Sequence, residues 1–338
     1  MMALTETSRL LDEGARLRPE RSQVRETAGM RVTRRRGEDS AGGYRRAGLW
    51  LATLLAFAVA LQGGVAVAAG RPSLASWSYL VEKLIADGVP RATVVRSFSD
   101  PRVPAFDGLP FALEPREPQS RYRQFLEPGS LARARRCRDR WWPEISRAGR
   151  STNVSPEVIA AILHVETGCG GYTGNSVVLY RLARLAMAAE PANLARNVAS
   201  HQRSNRDLSR REVARKTAAR ARYLEDNFYP EVRATFTMSS QLGIDPLAIR
   251  GSVAGAFGWP QFLPASYVRF GRDGNANARV SLFEPPDAMH SVAAYLAGHG
   301  WRPGLSHAAR RRVIWHYNRS DAYIDTVLAL AARLHRQP

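Results

Sequence analysis

From Trp77 onward the apolar residues recur at helical spacing and almost nowhere alternate. Trp77, Leu80, Val81, Leu84 and Ile85 mark one short amphipathic stretch. Leu131 to Ala148 carries the same period, with Trp141, Trp142 and Ile145 on its inner face. Pro143 lies within it and predicts a break or a second helix start. Nearly every later apolar segment keeps helical period over roughly 10–20 residues. No alternating run of β-branched residues stands out, so the pattern predicts a mainly α-helical protein. Residues 99–118, rich in proline, read as a surface-wrapping connection. Residues 196–225, basic with interspersed alanine, read as a solvated helix.

Upstream the pattern changes. Residues 1–46 are polar and Arg-rich and lack periodic apolar positions, which predicts a disordered basic extension or an over-long start with Met30 as the alternative initiator. Arg45 and Arg46 then precede the apolar run Ala47–Leu61, and Gln62, Gly63 and Gly64 weaken any helix there. Ala66, Val67 and Ala68 supply small residues at A-x-A spacing. A charged start, a short apolar core and a small-residue exit read as a secretory signal. The alternative for residues 47–69 is a retained anchor, since about 20 residues just span a bilayer. No cysteine follows the exit, which argues against lipoprotein processing.

Composition narrows the function. The chain has 338 residues, 45% of them hydrophobic, enough for a sizeable core in one large or two modest domains. Its net charge is +19, and Lys83 and Lys216 are the only lysines, so the charge is arginine. Such a charge suits nucleic acid, an anionic membrane or an acidic polymer. Cys137 and Cys169 are too few for a cysteine-based zinc cage, and the seven histidines lack ligand spacing. Neither a Walker A loop nor GxGxxG is present.

Candidate chemistry begins at Glu166. Ser155 and Pro156 form a strong helix start, with serine able to cap and proline at the first helical position. Ile159, Ile162, Leu163 and Glu166 then fall at i, i+3, i+4 and i+7, so Glu166 continues the apolar stripe. Gly168, Gly170 and Gly171 end the helix beyond it. Burial and the negative end of the helix dipole both favour a protonated carboxyl, which is what a general acid needs. A helix-terminal glutamate turned to solvent or paired with arginine fits this fragment as well. Three further stretches stand out. GSVAGAFGWPQFLPAS, Gly251–Ser266, is rich in small residues and offers Ser252 and Gln261 as polar groups. Asp287–Trp301 is an amphipathic helix with a glycine exit. Tyr317, Asn318 and Tyr323 bring three polar tips into one short stretch, where the asparagine also reads as a helix cap.

Together these four segments resemble the lytic murein transglycosylases of the membrane-bound lytic transglycosylase B type, akin to glycoside hydrolase family 103. ETGCG, Glu166–Gly170, matches that family's Glu-Ser/Thr-x-Tyr/Phe-Gly, with Cys169 in place of the aromatic. Gly251–Ser266 matches its GSYAGAMGxxQFMPSS, with Phe257 in place of methionine. Asp287–Trp301 and Tyr317–Tyr323 match its remaining motifs in order and spacing over about 150–338. The resemblance implies a lysozyme-like helical core over 151–338 with a helical flank over 70–150. It implies non-hydrolytic cleavage of MurNAc-β-1,4-GlcNAc bonds in peptidoglycan to 1,6-anhydromuramoyl ends. Glu166 would act as acid and then base, with Ser252, Gln261, Tyr295, Tyr317, Asn318 and Tyr323 lining the sugar cleft. No second acidic residue lies in the matched cleft motifs, which agrees with a one-carboxyl mechanism.

The same resemblance points to an EF-hand-like loop over 273–287, with Asp273, Asn275, Asn277, Arg279 and Asp287 as candidate calcium ligands. Asn277 stands where the family has aspartate, and Ala278 where a tight turn wants glycine. The expectation is weak calcium or a metal-free turn, with no cofactor required. An exported chain seldom carries two idle thiols, so Cys137 and Cys169 are expected to form a disulfide. The expected setting is the periplasm, with an inner-membrane anchor if the leader is retained. The expected partner is peptidoglycan, with cell-wall machinery beside it. Nucleic acid is not expected, because it leaves the export signal and the cleft motifs unexplained; a monomer is expected. A hydrolytic muramidase and an inactive peptidoglycan-binding protein stay open as alternatives.

Overall fold

A computed structural model describes residues 74–114 and 120–335. The basic extension 1–46 and the apolar segment 47–69, with the export readings attached to them, lie outside the described residues. A short 3-10 turn, Leu74–Trp77, leads into α1 (Ser78–Ala86), followed by α2 (Arg91–Phe98) and the single turn α3 (Ser120–Arg123). Then come α4 (Pro128–Arg140), α5 (Trp142–Thr152), α6 (Pro156–Thr167), α7 (Val178–Ala186), α8 (Pro191–Ser204) and α9 (Arg210–Leu242). The last four are α10 (Pro264–Phe270), α11 (Pro285–Gly298), α12 (His307–Tyr317) and α13 (Asp321–Leu334). The one sheet among the described residues pairs β1 (Ser176–Val177) antiparallel with β2 (Arg250–Gly251), setting Ser176 opposite Gly251. The protein is mainly α-helical, as its periodicity predicts.

Helix α6 sits at the centre, packed by α4, α5, α11 and α13. Every residue from Val158 to Thr167 is buried, so the helix is covered on all sides. Pro156 opens it where a missing N–H is harmless. Ser155 holds the cap position but does not cap; its hydroxyl donates instead to Glu157, at 2.7 Å. At the other end Gly168 takes the left-handed conformation, φ 60°, and the Cys169 N–H returns to the Leu163 carbonyl at 3.0 Å.

Three sequence expectations are refined. The 131–148 stretch is two helices broken at Trp141, and Pro143 falls in the first turn of α5, where it loses no bond. Trp141 and Trp142 are only half-buried, while Ile145 is fully buried. The basic 196–225 stretch is also two helices. Ser209 and Glu212 form a capping box that restarts the chain as α9. That helix has 33 residues and contains Pro230. The proline-rich connection is drawn inward at Val103, Leu109 and Phe111. Buried Asn193 and Asn197 on α8 accept the Leu109 and Phe111 amides at 2.7 and 3.3 Å. No helix among the described residues is long and apolar enough to cross a membrane.

Candidate active site

Glu166 occupies the last turn of α6 and is 9% exposed. The inward stripe that places it there is the one its spacing predicts. Tyr323, in the first turn of α13, donates its hydroxyl to Glu166 Oε1 at 2.7 Å. Burial pushes the Glu166 carboxyl above the usual carboxylate range, and the Tyr323 bond offsets part of that rise. The groups that shift it include no second carboxyl among the described residues. Burial, then the charge of Glu166, holds the Tyr323 phenol well above its ordinary value, so it stays a donor. Tyr317 stacks parallel to Tyr323, ring centroids 6.4 Å apart, and donates to the Pro260 carbonyl at 2.6 Å. Its phenol is likewise raised by burial first and by Glu166 second. Tyr122 meets Tyr323 edge-on at 5.8 Å. A protonated acid held among phenols that remain donors can deliver a proton and later take one back.

The other sequence-predicted cleft residues lie at different depths. Tyr295 packs against Tyr317 at 4.9 Å but turns its hydroxyl to the His316 carbonyl, at 2.6 Å. Asn318 is 1% exposed, and its Nδ2 has no hydrogen-bond partner among the described residues. It does not start a helix: it follows the end of α12, and Ser320 caps α13 by accepting from the Tyr323 amide. Ser252 and Gln261 shape the loop that faces α6. The Ser252 hydroxyl accepts from the Ala256 amide at 3.2 Å. Gln261 donates to the Thr173 and Gly258 carbonyls at 3.1 and 2.9 Å. The bond to Thr173 ties the Gly251–Ser266 segment to the loop after Glu166, and the other two brace the segment itself.

Thr167 and Trp259 complete that join; Thr167 fills the Ser/Thr position of the Glu166 motif, while Trp259 falls at a position that the matched motif leaves open. Thr167 donates to the Trp259 carbonyl at 3.0 Å and accepts from the Gly170 amide at 2.9 Å. The Trp259 ring lies so close under Gly170 that a Cβ there would sit 2.0 Å from it, and Gly170 also has φ 79°. A disulfide joins Cys137 on α4 to Cys169, three residues past Glu166, with the Cα atoms 6.3 Å apart. Glu231 on α9 is a further, half-buried acid outside the motifs. It accepts from the Ala265 amide at 2.8 Å, and burial pushes its carboxyl up to about 7.

Asp273 to Asp287 forms a loop of reciprocal hydrogen bonds. Asp273 accepts from the Asn277 and Ala278 amides at 3.2 and 2.7 Å. Asn275 donates to Glu284 at 2.6 Å, and Asn277 accepts from the Arg279 amide at 2.9 Å. Asp287 is fully buried and accepts from the Gly274 and Ser281 amides at 2.8 and 2.6 Å. Ala276 and Ala278 both hold positive φ, 59° and 64°. Among the described residues no three His, Cys, Asp or Glu side chains gather as a metal cluster.

Comparison with known proteins agrees with the fold. Residues 74–312 match the transglycosylase SLT domain. Membrane-bound lytic murein transglycosylase B of Escherichia coli K12 is 30% identical over 185 residues, 54% of this chain and 42% of that protein. The match therefore spans less than half the length of that relative. The fold is shared with the lytic transglycosylase Slt35 of Escherichia coli, solved in complex with calcium. There the TM-score is 0.55 at 21% identity, over 77% of this chain and 92% of that one. It is shared too with SltB3 of Pseudomonas aeruginosa, solved in complex with NAG-NAM-pentapeptide. There the TM-score is 0.54 at 18% identity, over 78% of this chain and 79% of that one. With the domain match covering the central helix, the candidate acid and the paired loop, the chain belongs to the transglycosylase SLT domain family.

Proposed function

We propose that this protein is a lytic transglycosylase that cleaves the β-1,4 bond between N-acetylmuramic acid and N-acetylglucosamine in peptidoglycan. The observation that carries the reading is the state of Glu166. It is a buried carboxyl raised above its ordinary range, bonded to Tyr323, with no second carboxyl among the groups that shift it. A two-carboxylate glycosidase needs its second group close by. Here Glu166 donates its proton to the glycosidic oxygen as the C1–O bond breaks. The acetamide of the muramic acid ring stabilises the cationic C1. The C6 hydroxyl of the same ring then attacks C1, and the Glu166 carboxylate takes that hydroxyl's proton. The result is a 1,6-anhydro ring, a free 4-hydroxyl on the departing strand, and an acid restored for the next cycle with no water consumed.

Tyr323 orients the carboxyl through both steps, and Tyr317, Tyr295, Asn318, Ser252 and Gln261 line the cleft that receives the sugars. The substrate is the glycan strand of the wall, reached by export to the periplasm, and the arginine-rich surface suits that anionic polymer. Calcium plays no part in the reaction. The loop's oxygen donors are Asp273 and Asp287, the side chains of Asn275 and Asn277, and the Arg279 carbonyl. They are the hard ligands calcium takes, with only two carboxylates among them, so the site is weak.

Mass spectrometry of purified sacculi digested with the protein tests the reaction. Anhydro ends, one water lighter than hydrolysed ends, are the expected product. Hydrated ends would identify a muramidase, and no release would identify a binding protein; either result overturns the proposal.

A further inference from the structure

We propose that Tyr172 is a substrate-contact residue, a fixed aromatic platform on which a sugar ring of the glycan strand stacks beside the bond that Glu166 cleaves. The inference rests on the lytic transglycosylase reading and adds to it a contact that the cleft motifs do not contain.

The loop from Gly168 to Gly174 leaves the catalytic end of α6 and is held at every step. Cys169 is tied to α4 by the disulfide. Gly170 lies on Trp259 and donates to Thr167. The Tyr172 amide returns to the Thr167 carbonyl at 3.2 Å. The Thr173 carbonyl accepts from Gln261 at 3.1 Å. Gly174 has φ 88° and lies so close to Gly251 that a Cβ would sit 2.3 Å from its backbone. The loop therefore runs from the helix end that carries the acid along the Gly251–Gln261 segment, as a wall with its backbone pinned on both sides.

Tyr172 is the one large side chain in this wall, and it is 76% exposed. That is the highest exposure of any large hydrophobic side chain among the described residues. The fold gains little from it, since nothing covers the ring. A ligand gains more. The backbone is already ordered, so stacking requires only two side-chain torsions to be fixed. A phenol offers an apolar face for the axial C–H groups of a pyranose and a polar tip for its hydroxyls.

Kinetics on soluble, uncrosslinked glycan strands test the assignment, with the full chain and its disulfide intact. Tyr172→Ala should raise KM about fivefold, the contribution of one aromatic stacking contact, and leave kcat within about twofold. Tyr172→Phe should behave like the parent, because the face and not the hydroxyl carries the contact. Strand binding, read by fluorescence in the inactive Glu166→Gln background, should weaken by the same factor when Tyr172→Ala is added. Melting temperatures should be unchanged, as expected for a side chain so exposed. Unchanged KM and binding in Tyr172→Ala would overturn the platform. So would a Phe variant as impaired as the Ala variant, or a loss confined to kcat. Hydrated product ends with the binding loss still present would overturn the reaction proposed for Glu166 and leave the platform standing.

Discussion

Glu166 and Asp287 are both carboxyl groups sunk in the helical body, and their surroundings differ in kind. Asp287 lies in the first turn of α11 and takes two backbone amides, from Gly274 and Ser281, one on each oxygen. Glu166 lies in the last turn of α6, where the helix presents carbonyls and the negative end of its dipole, and its described donor is the Tyr323 hydroxyl. Amides aimed at a carboxylate, one on each oxygen, hold a loop in place. An apolar wall, offset only in part by one phenol donor, leaves a carboxyl that favours its proton. Burial is common to both, so burial alone does not mark the catalytic acid; the place on the helix and the donors distinguish the two.

The largest expected effect separates the two roles. Glu166→Gln keeps the volume and the bond from Tyr323 but removes the transferable proton. Muropeptide release should fall by roughly 10²–10⁴-fold or more, the range for a lost general acid–base group. Its stability effect has a definite sign. Because the folded state raises the Glu166 carboxyl, the stability it contributes is complete below the ordinary carboxylate range and is lost as pH rises through the raised value. Glu166→Gln should therefore melt higher than the parent at pH 8 and nearly level with it at pH 4. A variant that melts lower at pH 8 would break the comparison.

Next in size is the covalent clamp, which only the Glu166 side possesses. Cys137 and Cys169 are 32 residues apart, and closing such a loop contributes about 3–4 kcal/mol in the chain-entropy account. The double change Cys137→Ser with Cys169→Ser should lower the melting temperature by roughly 10 °C, about 2–4 °C per kcal/mol at this size. Activity should suffer beyond the loss of folded protein, because Cys169 belongs to the turn that carries the wall beside the acid. Asp287→Ala should cost slightly less, about 3 kcal/mol, since it strands two partly buried amides and empties a fully buried site. It should leave kcat per folded molecule unchanged. Equal losses of kcat in both variants, measured by active-site titration, would show that the two regions are less separate than their bonding suggests.

The sequence reads clearly wherever a local rule governs. The stripe Ile159, Ile162, Leu163 and Glu166, the proline at the start of α6 and the glycine beyond it put Glu166 on the apolar face of a helix end, and its burial excludes the solvent-turned glutamate that the same fragment allows. What it leaves open depends on contacts between distant segments. Tyr323 reaches Glu166 across 157 positions, and Trp259 reaches Gly170 across 89, and neither is encoded in spacing. Asn318 looks like a cap because asparagine often is one. Ser320, two residues on, takes that role, and Asn318 is left buried beside Tyr317. Glu231 is invisible to motif reading, because a solvated glutamate would produce the same pattern on a long basic helix.

The smallest expected effect concerns calcium and the Asp287 side alone. A ligand raises stability by RT ln(1 + [L]/Kd), so a millimolar site adds only about 0.4 kcal/mol at 1 mM. That is about 1–2 °C of melting temperature at this size. The loop keeps oxygen donors at Asp273, Asn275 and Asn277, yet its charge is low, and two alanines hold left-handed backbone, Ala276 at 59° and Ala278 at 64°. Ala278→Gly relieves one strained position, and Asn277→Asp adds a carboxylate without changing size. The double variant should show a clear calcium-dependent rise in melting temperature that chelator reverses, while the parent shows almost none. Glycine alone should stabilise the apo protein slightly and aspartate alone should not, because one change removes backbone strain and the other adds negative charge beside Asp273 and Glu284. A parent that already gains many degrees in 1 mM calcium would mean that amide and carbonyl oxygens suffice here. Asp287 would then be a ligand as well as a brace, and its contrast with Glu166 would rest on the metal and not on the amides.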